Sequence, residues 1–154
     1  MRYFYALIGA IILSSCSQNL GSMPSTGISQ NVNVHFDGSQ PNITKVSKIS
    51  DKQDQKIVIS GSGFGTMQPY NGDSNYLQIL DTTGGWSAGY TSSFEVDSVW
   101  LNVTSWSDKK IVIKGFTGDY GQSYWILMKG DDLQISVWNA QNHSGPATKS
   151  KKIK

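Results

Sequence analysis

Thiols, arginine and glutamate are almost missing from this chain of 154 residues, which holds one cysteine (Cys16), one arginine (Arg2) and one glutamate (Glu95). A lone cysteine excludes an internal disulfide and a zinc site built on several thiolates. With a single arginine, bidentate recognition of phosphates and guanine edges has almost nothing to draw on. Lysine and arginine total 13 against 11 acids, a formal net charge of +2, which gives no electrostatic footprint for nucleic acid. The two histidines, His35 and His143, stand near the ends of the folded part, and neither is a convincing partner for the many serines. Beyond the first 16 residues no useful length of sequence repeats its apolar residues at the 3.6-residue period of a helix.

What is present begins with the N-terminus. Arg2 precedes an apolar run over residues 3–13, and Leu13-Ser14-Ser15-Cys16 closes it. That run is shorter than the roughly 20 apolar residues a membrane-spanning helix needs. It has the order of an export signal instead: a basic start, a short apolar middle and small residues before the cut. The four closing residues resemble the lipobox of bacterial lipoproteins. The resemblance implies a signal peptide over 1–15 and acyl chains (palmitate among them) on Cys16, the new N-terminus. It also implies a bacterial cell-envelope location, with the outer membrane favoured because Ser17 is no retention-type acid. Lipidation would use the only thiol, and loss of Arg2 would leave a mature charge of +1 from 12 lysines and 11 acids.

Residues 16–40 are expected to be the lipidated N-terminus and a flexible tether, for 17–40 are rich in Ser, Asn, Gln and Gly. A flexible chain of that length reaches roughly 25–30 Å. A single domain is expected over 41–147, followed by a frayed basic tail over 148–154 with Lys149, Lys151, Lys152 and Lys154. Short β-like runs punctuate the domain: Ile43 to Ile49, 56–60, 76–80, 99–103, 110–114, 123–128 and 133–138. Between them stand turn clusters such as Asn71-Gly72-Asp73, Thr83-Gly84-Gly85 and Gly130-Asp131-Asp132. About seven short strands separated by turns predict an all-β sandwich.

Two stretches carry a second resemblance. Pro41-x-Ile43-x-x-Val46 followed by Ile57-Val58-Ile59-Ser60-Gly61-Ser62-Gly63-Phe64-Gly65 is similar to the opening of an IPT/TIG domain. So is the series from Val103 through Trp106 and Asp108 to Ile113, with Gly130-Asp131 before a late strand. The resemblance implies an immunoglobulin-like sandwich of the kind found in surface receptors and bacterial surface proteins, and it says little about function. Residues 66–97 depart from it, being long and aromatic, and are expected to be an insertion where a site of this chain's own could lie.

The chemistry-bearing residues argue against catalysis. The run Gly61-Ser62-Gly63-Phe64-Gly65 brings its third glycine one residue too early for a dinucleotide fingerprint, and no helix follows. Asp73, Asp119, Asp131 and Asp132 lack the spacing of a calcium loop and read as turn acids. Nothing pairs Glu95 with an aspartate as a glycosidase requires. No enzyme, cofactor or metal is therefore expected. The aromatics are more telling. Trp86, Tyr90, Tyr120, Tyr124 and Trp125 fall in or beside polar turns, and Trp86 and Tyr90 are flanked by glycines. Exposed rings of this kind make contact hot spots. The expected function is a membrane-anchored, non-catalytic module that binds an envelope or extracellular protein; a polysaccharide held by the loop aromatics is the alternative.

Overall fold

A computed structural model describes residues 39–91 and 98–154. Cys16, the leader and most of the tether, as well as Glu95, lie outside the described residues. Nine strands form among those described: β1 (Asn42–Val46), β2 (Lys56–Ser62), β3 (Tyr70–Gly72), β4 (Leu77–Asp81), β5 (Trp86–Ala88), β6 (Val99–Ser107), β7 (Lys110–Gly118), β8 (Asp132–Val137) and β9 (Ala147–Lys152). They make two antiparallel sheets, ordered β1-β2-β7-β6-β3 and β5-β4-β8-β9. The chain is an all-β sandwich.

Alternation in the sequence sets the sandwich core. In β2, β6 and β7 every second side chain turns inward, so Ile57, Ile59, Leu101, Val103, Ile111 and Ile113 are buried on one sheet. Leu77, Ile79, Leu133, Ile135 and Val137 are buried on the other. Each such side chain contributes about 1.5–3 kcal/mol when fully withdrawn from water. Register places Ile57 opposite Ile113 and Ile59 opposite Ile111, which joins the inward rows of two neighbouring strands.

The glycine-rich turn after β2 has a definite occupant. Gly63 N–H and Gly65 N–H donate to the two carboxylate oxygens of Asp108, at 3.3 and 3.2 Å, and Phe64 N–H donates to the Asp108 carbonyl at 3.1 Å. Successive backbone amides of this kind form a nest for an anion. Here the chain's own β6–β7 turn fills it. Phe64 folds back into the core with no exposed surface, and Trp106 Nε1–H donates to its carbonyl at 3.1 Å. Asn139, just after β8, completes the corner: its amide donates to Gly63 O at 2.9 Å and accepts from the Gln141 and Asn142 amides at 2.8 and 3.1 Å. At Gly115 the need for glycine is absolute, for φ is +81° and a Cβ would lie 2.0 Å from the Gln53 carbonyl.

Two expectations need correction. The basic tail is not frayed: β9 pairs with β8 from Asp132↔Lys152 to Val137↔Ala147, and Ile153 beyond it is buried. Lysines on an edge strand can point to water while their backbone completes the ladder, so charge alone was a poor guide. The run 123–128 is not a strand. The Gln122 amide donates to Asp119 O and the Gly121 amide to Trp125 O, which coils the chain into a loop, and Ser123 takes φ +53°. Of the stretch 66–97, the described part 66–91 carries the expected run at 76–80 as β4 and adds β3 to one sheet and β5 to the other. Strands β3 and β5 have three residues each, too few to show an alternation.

Candidate functional site

The five aromatics expected at a contact surface divide sharply. Trp86, on β5, is 5% exposed and meets Phe116 and Tyr120 edge-on, with ring centroids 6.3 and 6.0 Å apart. Tyr120 is buried too and stacks on Phe116 at 4.7 Å. These two rings close one part of the core and do not offer a platform. Glycines beside Trp86 serve the β4–β5 hairpin instead. Tyr90 is half-buried and stacks on Trp138 at 5.1 Å.

Tyr124 and Trp125 are different. Both lie in the β7–β8 connection, residues 119–131, where Tyr124 is 60% exposed and Met128 is 62% exposed. Trp125 is half-buried and braces Tyr124 edge-on at 5.5 Å. The base of the connection is fastened from within. The Tyr120 hydroxyl donates to Asp51 O at 2.8 Å and accepts from the Leu127 amide at 3.3 Å. Burial raises the Tyr120 hydroxyl above its ordinary pKa, so the donor stays protonated. Leu127 is buried, the Asp131 carboxylate accepts from the Met128 amide, and the Gly130 amide donates to Ile153 O at 2.9 Å. A loop held this way carries its outward side chains without losing much freedom on contact, which favours affinity.

Sequence reasoning did not single out Trp100 as exposed. It is 42% exposed on the outer face of β6, while its neighbour Leu101 is buried. Register sets Trp100 opposite Thr117 and Asn102 opposite Asn71. The Thr117 hydroxyl donates to Asn71 Oδ1 at 2.6 Å across β6. A flat ring thus shares a sheet face with two amides and a hydroxyl. The signal was there in the alternation of 99–103, which had to send one of the Trp100–Leu101 pair outward.

The turn acids have structural duties. Asp119 accepts from Gln122, Asp131 from Met128, and Asp132 pairs with Lys152 at 2.8 Å. Asp81, at the end of β4, is buried; its Oδ1 accepts from the Thr83 and Gly84 amides at 2.9 and 2.8 Å. Burial raises its pKa above the ordinary aspartate value; the Gly84 amide opposes this, and the nearby Asp131 adds to it. Burial likewise pushes the Tyr70 hydroxyl up to about 12, although its bond to Ser74 at 3.0 Å works the other way. His143 is taken up by Tyr76, whose hydroxyl lies 3.2 Å from Nδ1.

Among the described residues no helix is long and apolar enough to cross a membrane. Comparison with family models, with curated proteins and with solved structures returns no match.

Proposed function

We propose that this chain is a lipid-anchored protein of the bacterial envelope whose immunoglobulin-like, IPT/TIG-type sandwich binds another protein and performs no catalysis. Cys16 carries the anchor, and the β7–β8 connection makes the contact through Tyr124, Trp125 and Met128. The observation that carries this reading is the pairing of two strongly exposed apolar side chains with a loop base fastened by Tyr120 and Leu127. Aromatic anchors on a rigid loop are a recurrent mode of protein recognition. Docking by addition of a strand is the weaker route here. Among the described residues the sheet edges are β3 and β5, three residues long each, and β1 and β9, which carry lysines.

The test places a photoreactive side chain at Tyr124 in the full chain and irradiates intact cells. A discrete protein adduct is expected from that position and none from Thr104, on the sheet face. An excess of unlabelled chain should compete it away, whereas unlabelled Tyr124→Ser/Met128→Ser chain should not. Equal competition by both would refute the loop as the contact.

One observation favours a second reading, a neutral polysaccharide. Trp100 with Asn71, Asn102 and Thr117 combines an exposed ring with amides and a hydroxyl on a flat face, the chemistry that holds a sugar. Tryptophan fluorescence titrated with soluble neutral glycans, in wild type and Trp100→Ala, decides this. A response that survives the substitution removes Trp100 from the site.

A further inference from the structure

The two sheet edges that close one side of the sandwich, β1 and β9, run beside each other, and Lys149 Nζ reaches the Thr44 carbonyl at 3.4 Å. An open furrow of about 340 Å³ lies between them, rimmed by Lys45 and Lys48 on one side and by Lys151, Lys152 and Lys154 on the other. A second hollow of about 170 Å³ adjoins it, sharing Lys45 and Ser47 and reaching Ser60. Together they run from the β1–β9 gap across β1 to the face of β2. Lys152 is engaged by Asp132 at 2.8 Å and by the Gly130 carbonyl at 3.0 Å. Among the described residues Lys45, Lys48, Lys151 and Lys154 have no carboxylate within ion-pair distance.

We infer that this furrow binds a linear acidic polysaccharide, its carboxylates lying between the two lysine rims. The site is separate from the β7–β8 contact and does not depend on it. Three observations select this occupant. Four cations that no described carboxylate pairs, set across a gap, are complementary to a chain of regularly spaced anions. A flat anionic bilayer could meet the lysine rims but would leave the hollow between them, with Val46, Ser47 and Ile49 in its lining, unfilled, whereas a single chain can lie in it. A single-stranded nucleic acid would be expected to find aromatic stacking platforms, and among the described residues no aromatic ring lines either hollow. Lysines on sheet edges also deter strand-to-strand association, which accounts for Lys45 and Lys151. That role does not account for Lys48 and Lys154, which border the same furrow beyond the ends of β1 and β9.

The test measures binding of the full chain to oligogalacturonate, with phosphatidylglycerol vesicles and oligo-deoxythymidine as competing anions. Three forms are compared: wild type, Lys48→Gln/Lys154→Gln, and a fourfold variant adding Lys45→Gln and Lys151→Gln. Circular dichroism and the melting temperature check that each is folded. Wild type should bind oligogalacturonate with a log–log salt slope of about −3, at roughly 0.7 per neutralised charge on a single-stranded polyanion. The fourfold variant should bind at least about 10-fold more weakly, as expected for four exposed charge contacts, with a slope near zero. The double variant, which leaves the strand lysines in place, should fall between. Affinities within about twofold across the three forms would overturn the inference, twofold being well inside the spread of exposed ion-pair effects. So would an equal or larger lysine-dependent loss on the vesicles or on the oligonucleotide.

Discussion

Asn139 offers the sharpest test of how the corner beside the glycine-rich turn is held. Its side chain is 4% exposed and serves three backbone groups: Gly63 O, Gln141 N–H and Asn142 N–H. Truncation in Asn139→Ala releases all three, but with unequal consequences. Gln141 and Asn142 are exposed, so water can satisfy their amides. Gly63 is buried, and its carbonyl is left without this donor, a loss of about 1–3 kcal/mol. We expect about 2 kcal/mol in urea denaturation, which for a domain of this size lowers the melting temperature by roughly 8 °C. Asn139→Asp separates the donor from the acceptors. A carboxylate there keeps the bonds from Gln141 and Asn142 but presents an oxygen to Gly63 O. Burial and this clash raise the folded-state pKa of the new acid, so it stabilises when protonated. The variant should approach wild type below the unfolded carboxyl range, about pH 4, and lose stability as pH rises through the raised value. Gln141→Ala, whose bonds to Thr66 are exposed, should cost less than half as much as Asn139→Ala. If Asn139→Ala lies within about 0.5 kcal/mol of wild type, the range of an ordinary surface substitution, the account of the corner is wrong.

Asp81→Asn retains an oxygen for the Thr83 and Gly84 amides while removing a buried charge. Because burial raises the wild-type carboxyl, its favourable share is complete below about pH 4 and is lost as pH rises through the folded value. The variant should therefore gain on wild type across that interval and then hold a constant lead; a pH-independent difference in urea midpoints would contradict this. Gly115→Ala should prevent folding or cost several kcal/mol, since backbone faces the added carbon, whereas Gly121→Ala, with open space around it, should cost about 1 kcal/mol for its positive φ. Proteolytic resistance of the two variants gives the comparison. Tyr124→Ser/Met128→Ser should melt within about 2 °C of wild type, because neither side chain supports the core. A larger drop would mean that the exposed residues hold the loop in place.

Strands with several alternations were legible from the residues: β2, β6, β7 and β8 occupy the places where apolar and polar side chains take turns. Phe64 and Trp106, beside a glycine turn and a hairpin, are both buried. Harder to read were elements whose pairing supplies what their composition lacks. The six residues of β9 include three lysines, and only the ladder to β8 makes them a strand. The aromatic candidates were chosen for their position beside polar turns. That criterion cannot tell Tyr124, at the tip of a connection, from Trp86, one residue past a turn but already in a strand. Trp100 was legible as one half of a pair, but its outward direction needed the register.

The position of β9 bears on when this polypeptide can finish folding. Among the described residues it is the last strand, yet it closes the β8 edge and lies against β1, the first. Synthesis from the N-terminus therefore delivers the other described strands before β9 can meet β1, and contacts this distant in sequence are slow to form. Any machinery that threads the nascent molecule through a narrow channel handles a sandwich whose β1–β9 side is still open until β9 emerges.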